Sequence, residues 1–189
     1  MSVQTTSSQT IGPFGHIGLA WLVIDDLVGP GVTGEKVVVE GRIVDGDGEG
    51  VGDAVVEIWQ ANSHGRYAHP EDTQEKPLEA GFRGFGRVET DDDGGFRFTT
   101  IKPGRVPAPG GGLQAPHLSV TIFMRGMLKH LLTRIYFPGD AANAEDPVLA
   151  SVPEARRDTL VAKSITGRAG AIRWDVILQG AGETVFFDC

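Results

Sequence analysis

Turns govern what this chain can fold into. Its 27 glycines and 11 prolines suit many short strands joined by tight turns. The stretch Val55–Pro70, VVEIWQANSHGRYAHP, shows the pattern most sharply. Val55–Gln60 reads as a strand by its β-branched and aromatic content, and Ala61–Gly65 supplies the turn chemistry that stops it. Arg66 and Tyr67 then leave the turn toward whatever the strand's end faces. With His64 and His69 nearby, Tyr67 is either a metal ligand or a part-buried tyrosine that packs and bonds its hydroxyl.

The remaining segments repeat this design. Lys36–Val44 alternates charged and apolar residues before the turn Asp45–Gly50. Phe85–Thr90 and Phe96–Thr100 are short strands joined by the acidic turn Asp91–Gly95. His117–Phe123 is strand-like and puts positions 117, 119 and 121 on one face. Leu131–Phe137 is the next strand, crossed by Arg134. Ala171–Gln179 carries the clearest period-2 pattern, with Ile172, Trp174, Val176 and Leu178 on one side. Pro103–Pro116 reads as a proline-rich loop. Two helices are expected: Asp146 caps one with Pro147 in its first turn, and Ser151–Glu154 forms a capping box opening Pro153–Ala162. The fold expected is mainly β, an antiparallel β-sandwich with a minor helical part. An extended N-terminal arm covers residues 1–16, because Pro13 takes Thr10–Phe14 out of regular structure.

Length and charge narrow the function. A chain of 189 residues suits one domain, 1–189, and a net charge of −8 without a basic block excludes nucleic acid as a partner. The single cysteine, Cys189, leaves no intrachain disulfide and no thiolate cluster. No apolar run approaches the roughly 20 residues that span a bilayer, and the N-terminus lacks the regions of a secretion signal. A soluble cytoplasmic protein without a membrane partner is expected. DGDGEG at Asp45–Gly50 fails as a calcium loop, since Val56 stands where a bidentate glutamate is required. The glycines at 81, 84, 86 and 110–112 do not make a nucleotide-binding loop.

VEIWQANSHGRY at Val56–Tyr67 resembles a stretch of the intradiol ring-cleavage dioxygenases. SSQTIGPFGHIG at Ser7–Gly18, TIKPG at Thr100–Gly104, APH at Ala115–His117, TRIYF at Thr133–Phe137 and GETVFFDC at Gly182–Cys189 carry the resemblance nearly end to end. It implies a family whose ferric iron is held by two tyrosines and a His-x-His pair, hard phenolate oxygens suiting that ion. Position by position, Tyr67 matches the first tyrosine and His117 the first histidine. Val106 stands where the second tyrosine belongs and Ser119 where the second histidine belongs, while Gln114 replaces an arginine expected to stabilise charge on the substrate. Valine cannot ligate and a neutral serine hydroxyl is a poor ligand, so this chain's own metal site is degenerate and no metal is expected on it.

Within the family the resemblance is to non-catalytic alpha subunits of heteromeric members. It implies an iron-bearing beta subunit as partner, Fe(III) held by that partner, and protocatechuate and O2 as substrates, cleaved to 3-carboxy-cis,cis-muconate. It further implies that Thr10, Gly12, Pro13 and Arg134 line the partner's pocket. Two other readings stay open: a self-sufficient dioxygenase with a rebuilt metal site, and a β-sandwich binding module without enzymatic partner.

Overall fold

The computed structural model describes residues 10–12, 17–18 and 20–188. Alternation builds the first sheet. In β1 (Lys36–Val44), Val37, Val39 and Ile43 are buried. One edge of β1 pairs antiparallel with β4 (Gly95–Ile101). The other edge pairs parallel with β10 (Ala171–Arg173) and then β11 (Val176–Ile177). Val38 lies opposite Ala171 and Ile43 opposite Val176, so one register runs through both short strands. The period-2 segment is therefore a single run, interrupted at Trp174–Asp175. There the Asp175 carboxylate accepts from the Arg42 amide at 2.9 Å in place of a ladder carbonyl. Gly41 permits the close approach, since a Cβ on it would stand 1.8 Å from the Trp174 carbonyl oxygen. This parallel edge departs from the antiparallel expectation. The long stretch of chain between β1 and β10 allows it, because parallel neighbours need an extended crossover. β9 (Lys163–Ser164) adds to β10 antiparallel.

The second sheet is antiparallel throughout, in the order β3 (Phe85–Glu89), β2 (Val55–Trp59), β7 (His117–Phe123), β8 (Leu131–Tyr136). Val56, Ile58, Leu118, Val120 and Ile122 face inward and join Val39, Ile43, Phe98 and Trp174 in one core. This is a sandwich, as the turn-rich sequence predicts. Gln60, fully buried where β2 ends, ties the layers together. Its amide donates to the Ile101 carbonyl, and its oxygen accepts from the Thr100 hydroxyl at 2.5 Å.

The helical part is shorter than its sequence suggests. Asp146 caps the helix Pro147–Ser151 as expected, accepting from the amides of Val148 and Leu149. The capping box does not form. Ser151 still belongs to the preceding helix, and its hydroxyl donates back to the Val148 carbonyl at 2.6 Å. The segment after it resolves into a helix at Glu154–Arg157 and a 3-10 turn at Asp158–Leu160. The proline-rich loop also differs from its reading. It holds a small hairpin of β5 (Val106–Pro107) and β6 (Leu113–Gln114), turned by Gly110, Gly111 and Gly112 at positive φ. Of the arm, Thr10–Gly12 lie in no regular element, while Pro13 and Cys189 fall outside the described residues.

Candidate active-site cleft

The turn after β2 is locked before it presents any side chain. The Asn62 side-chain oxygen accepts from the amides of His64 and Arg66, both at 3.0 Å, closing the loop on itself. Gly65, at φ 76°, lies against the Lys102–Gly104 turn, where a Cβ would stand 2.0 Å from the Arg105 carbonyl oxygen. The Gly104 amide donates to the Asn62 carbonyl at 2.9 Å. Two turns distant in sequence are thus held together, and Tyr67 comes to share a cleft with Val106. This cleft, about 560 Å³, is lined by Trp59, Tyr67, His69, Val106, Pro107 and Gln114 among others. Tyr67 stacks on Trp59 with ring centroids 5.8 Å apart, and its amide donates to the Asp72 carboxylate at 2.8 Å.

Strand register places the other half of the site. Trp59 lies opposite Ser119, and Ser119 opposite Arg134, so the three share one row across the outer face of the second sheet. His117 lies opposite Tyr136 in the next row, ring centroids 5.9 Å apart. The alignment of 117 and 119 on one face, expected from alternation, is present. His117 is buried and its Nδ1 donates to the Ala115 carbonyl at 2.8 Å, the neutral tautomer this contact requires. Val106 is buried at the base of the cleft.

Arg134 joins these pieces. Its Nη1 donates to Gln114 Oε1 at 2.7 Å and reaches the Tyr136 hydroxyl oxygen at 3.4 Å. Tyr136 in turn donates to the buried carboxylate of Asp146 at 3.0 Å. The resemblance implied that Arg134 shares a wall with the arm in a partner's site. Thr10 holds the turn beyond β7, donating to the Met124 carbonyl at 3.3 Å and accepting from the Gly126 amide at 2.9 Å. Arg134 sits mid-strand in β8, opposite Ser119. Tyr136 and Asp146 entered no sequence-based site. Tyr136 stands far from the Lys102–Gly104 turn along the chain, and Asp146 announced itself only as a helix cap.

The donors present do not fit ferric iron. Tyr67 and His117 remain, and a guanidinium stands close enough to influence both. Burial raises the Tyr67 hydroxyl above its ordinary pKa, more than Arg134 lowers it, so the phenol stays protonated. Burial, aided by the Arg134 charge, pushes His117 down to about 4. Among the described residues no group of three or more His, Cys, Asp or Glu could hold a metal. The remaining histidines do not repair the site. His64 faces Glu79 at 3.8 Å, His69 meets the edge of Trp59, and His130 packs on Phe123; His16 lies outside the described residues.

The depressed His117 carries a stability prediction. Its folded pKa lies below the unfolded value near 6.5, so the unfolded chain takes up the proton first as pH falls. Stability is therefore full above pH 6.5 and declines toward pH 4, by roughly 3 kcal/mol from this group, with no further loss below. Denaturant unfolding across that range should show this slope in the wild type beyond that in His117→Gln. Equal slopes would remove His117 from the cause.

The sandwich and its turn motifs define the class, and the chain belongs to the intradiol dioxygenase family. The family described as Dioxygenase matches residues 26–180. More particularly, the chain is 43% identical to a protocatechuate 3,4-dioxygenase alpha chain from Burkholderia cepacia, over 99% of this chain and 98% of that protein. It is 39% identical to the beta chain from the same organism, over 80% of this chain and 67% of that one. In fold it is similar to an intradiol ring-cleavage dioxygenase from Tetranychus urticae, with a TM-score of 0.64 at 17% identity, covering 82% of this chain and 86% of that one.

Proposed function

We propose that this chain is the non-catalytic alpha subunit of a heteromeric protocatechuate 3,4-dioxygenase. The observation that carries the reading is the remnant site: Val106 and Ser119 replace two ligands, and Arg134 puts a positive charge beside the two that remain. Near full-length likeness to an alpha chain supports it. Fe(III) is then held by a beta-type partner related to this chain, and protocatechuate and O2 react there. Thr10, Gly12 and Pro13 are assigned to the partner's pocket. Arg134 is assigned there too, its Nη1 held by Gln114 and Tyr136 within this chain. A cytoplasmic setting suits a chain with one cysteine and no internal disulfide. Among the described residues no helix is long and apolar enough to cross a membrane.

Co-expression with a beta-type chain tests the assignment. The purified complex should consume O2 with protocatechuate and hold iron in proportion to the partner, whereas this chain alone should be colourless and inert. Tyr67→Phe should leave turnover of the complex within about threefold, since the ring keeps its stacking on Trp59. An iron-loaded, coloured preparation of this chain alone, or iron lost from the complex through Tyr67→Phe, would place the metal here and overturn the reading.

A further inference from the structure

Gln114 stands where an arginine is expected, and its contacts give it a task that an arginine could not perform. Its side chain is buried in β6, paired across the small hairpin with Val106. Nε2 donates to the Pro107 carbonyl at 2.8 Å, which fixes the end of the amide that faces Arg134. Oε1 therefore accepts from Arg134 Nη1, at 2.7 Å. A second guanidinium at 114 would set like charge against Arg134 where the glutamine sets an acceptor.

The other hold on Arg134 is neutral as well. Tyr136, fully buried, gives its proton to Asp146 at 3.0 Å and presents its oxygen to Nη1 at 3.4 Å. The Asp146 carboxylate stays one residue back, its oxygens taken by Tyr136 and by the amides of Ala115, Val148 and Leu149. None of the ion pairs among the described residues includes Arg134. A cation held in this way is fixed in place and keeps its charge. An acidic partner would hold it as firmly but would cancel that charge. The charge is felt nearby, where it aids burial in pushing His117 down to about 4.

We infer that Gln114 is a positioning residue for Arg134, one that sets the substrate preference of the assembled enzyme by holding the guanidinium without neutralising it. The inference rests on the proposed function, in which Arg134 stands in the partner's pocket, and adds a residue that acts there only through Arg134. The stronger the uncancelled charge, the more a carboxylated catechol is favoured over one without the carboxylate. The glutamine that removes one arginine from this chain is thus what lets the other keep its place and its charge.

Steady-state oxygen uptake by the co-expressed complex, with protocatechuate and with catechol, tests it. Gln114→Glu should raise KM for protocatechuate at least about tenfold and KM for catechol less than about twofold, because the new carboxylate pairs with Arg134. Gln114→Met, of similar length but without an acceptor, should raise the protocatechuate KM about threefold. It decides the matter should the glutamate variant fail to assemble. Arg134→Ala alone should show the same selective loss, and adding Gln114→Glu to it should change neither KM further. The inference is overturned by equal changes for both substrates, by no change in either assembled variant, or by an undiminished effect of Gln114→Glu beside Arg134→Ala. In each of those cases a selective loss in Arg134→Ala alone leaves the subunit assignment standing. Absence of that selective loss overturns the inference and also takes Arg134 out of the partner's pocket.

Discussion

Replacing Asp146 by alanine is expected to lower the unfolding free energy by about 3–5 kcal/mol. Its side chain is fully buried and accepts from the Ala115 amide at 2.6 Å, the Tyr136 hydroxyl at 3.0 Å, and the Val148 and Leu149 amides at 2.9 and 2.8 Å. One carboxylate thus joins the entry to β7, the end of β8 and the start of a helix. Alanine would leave these donors unpaired inside the cluster of Ala115, Tyr136, Leu149, Leu160 and Val185. For a chain of this length the melting temperature should fall on the order of 10 °C. Asp146→Asn keeps one acceptor for the helix but turns an amide donor toward the Ala115 N–H, so a smaller loss of roughly 2 kcal/mol is expected. Differential scanning calorimetry of both variants checks this. A change below about 1 kcal/mol for alanine would mean that these bonds are satisfied in another way.

The second large effect concerns turnover of the assembled enzyme. Deleting residues 1–13 from this chain should reduce turnover of the complex about tenfold or more while leaving its iron in place. Under the proposed function the arm supplies no ligand and acts by shaping the pocket in which the substrate is held, and misplacement of substrate lowers rate without altering the metal. Thr10 marks where the arm is tied to this chain, at the turn of Met124 and Gly126. Oxygen uptake and iron content should be measured on complexes whose intact size is verified by gel filtration. Unchanged turnover would take the arm out of the partner's pocket, and iron lost in step with activity would assign it to the metal site's integrity instead.

Local chemistry is legible in the residues themselves. Val55–Trp59, His117–Phe123 and Leu131–Tyr136 lie within a residue of their expected bounds, because alternation and turn residues act over a few positions. The Asp146 cap is equally readable, since a helix start is set by the residues flanking it. So is the loss of ligating chemistry at Val106 and Ser119, which depends only on what those side chains are. The capping box at Ser151 misleads for the complementary reason: its hydroxyl has a nearer acceptor in the helix it ends.

By itself, then, the sequence determined the strands, the turns and the layered β architecture. The tertiary structure alone decided who meets whom. Arg134 and Gln114, twenty positions apart, bond across the hairpin and the sheet. Tyr136, passed over for its distance along the chain, lies against His117 and spends its hydroxyl on Asp146. Asp175 fills a gap in a parallel edge that period-2 alternation could not distinguish from an antiparallel one. Alternation reports which side of a strand a residue faces. The neighbour it finds there is set by register and by turns pressed together through space, as at Gly65 and Gly104, and those depend on the whole fold.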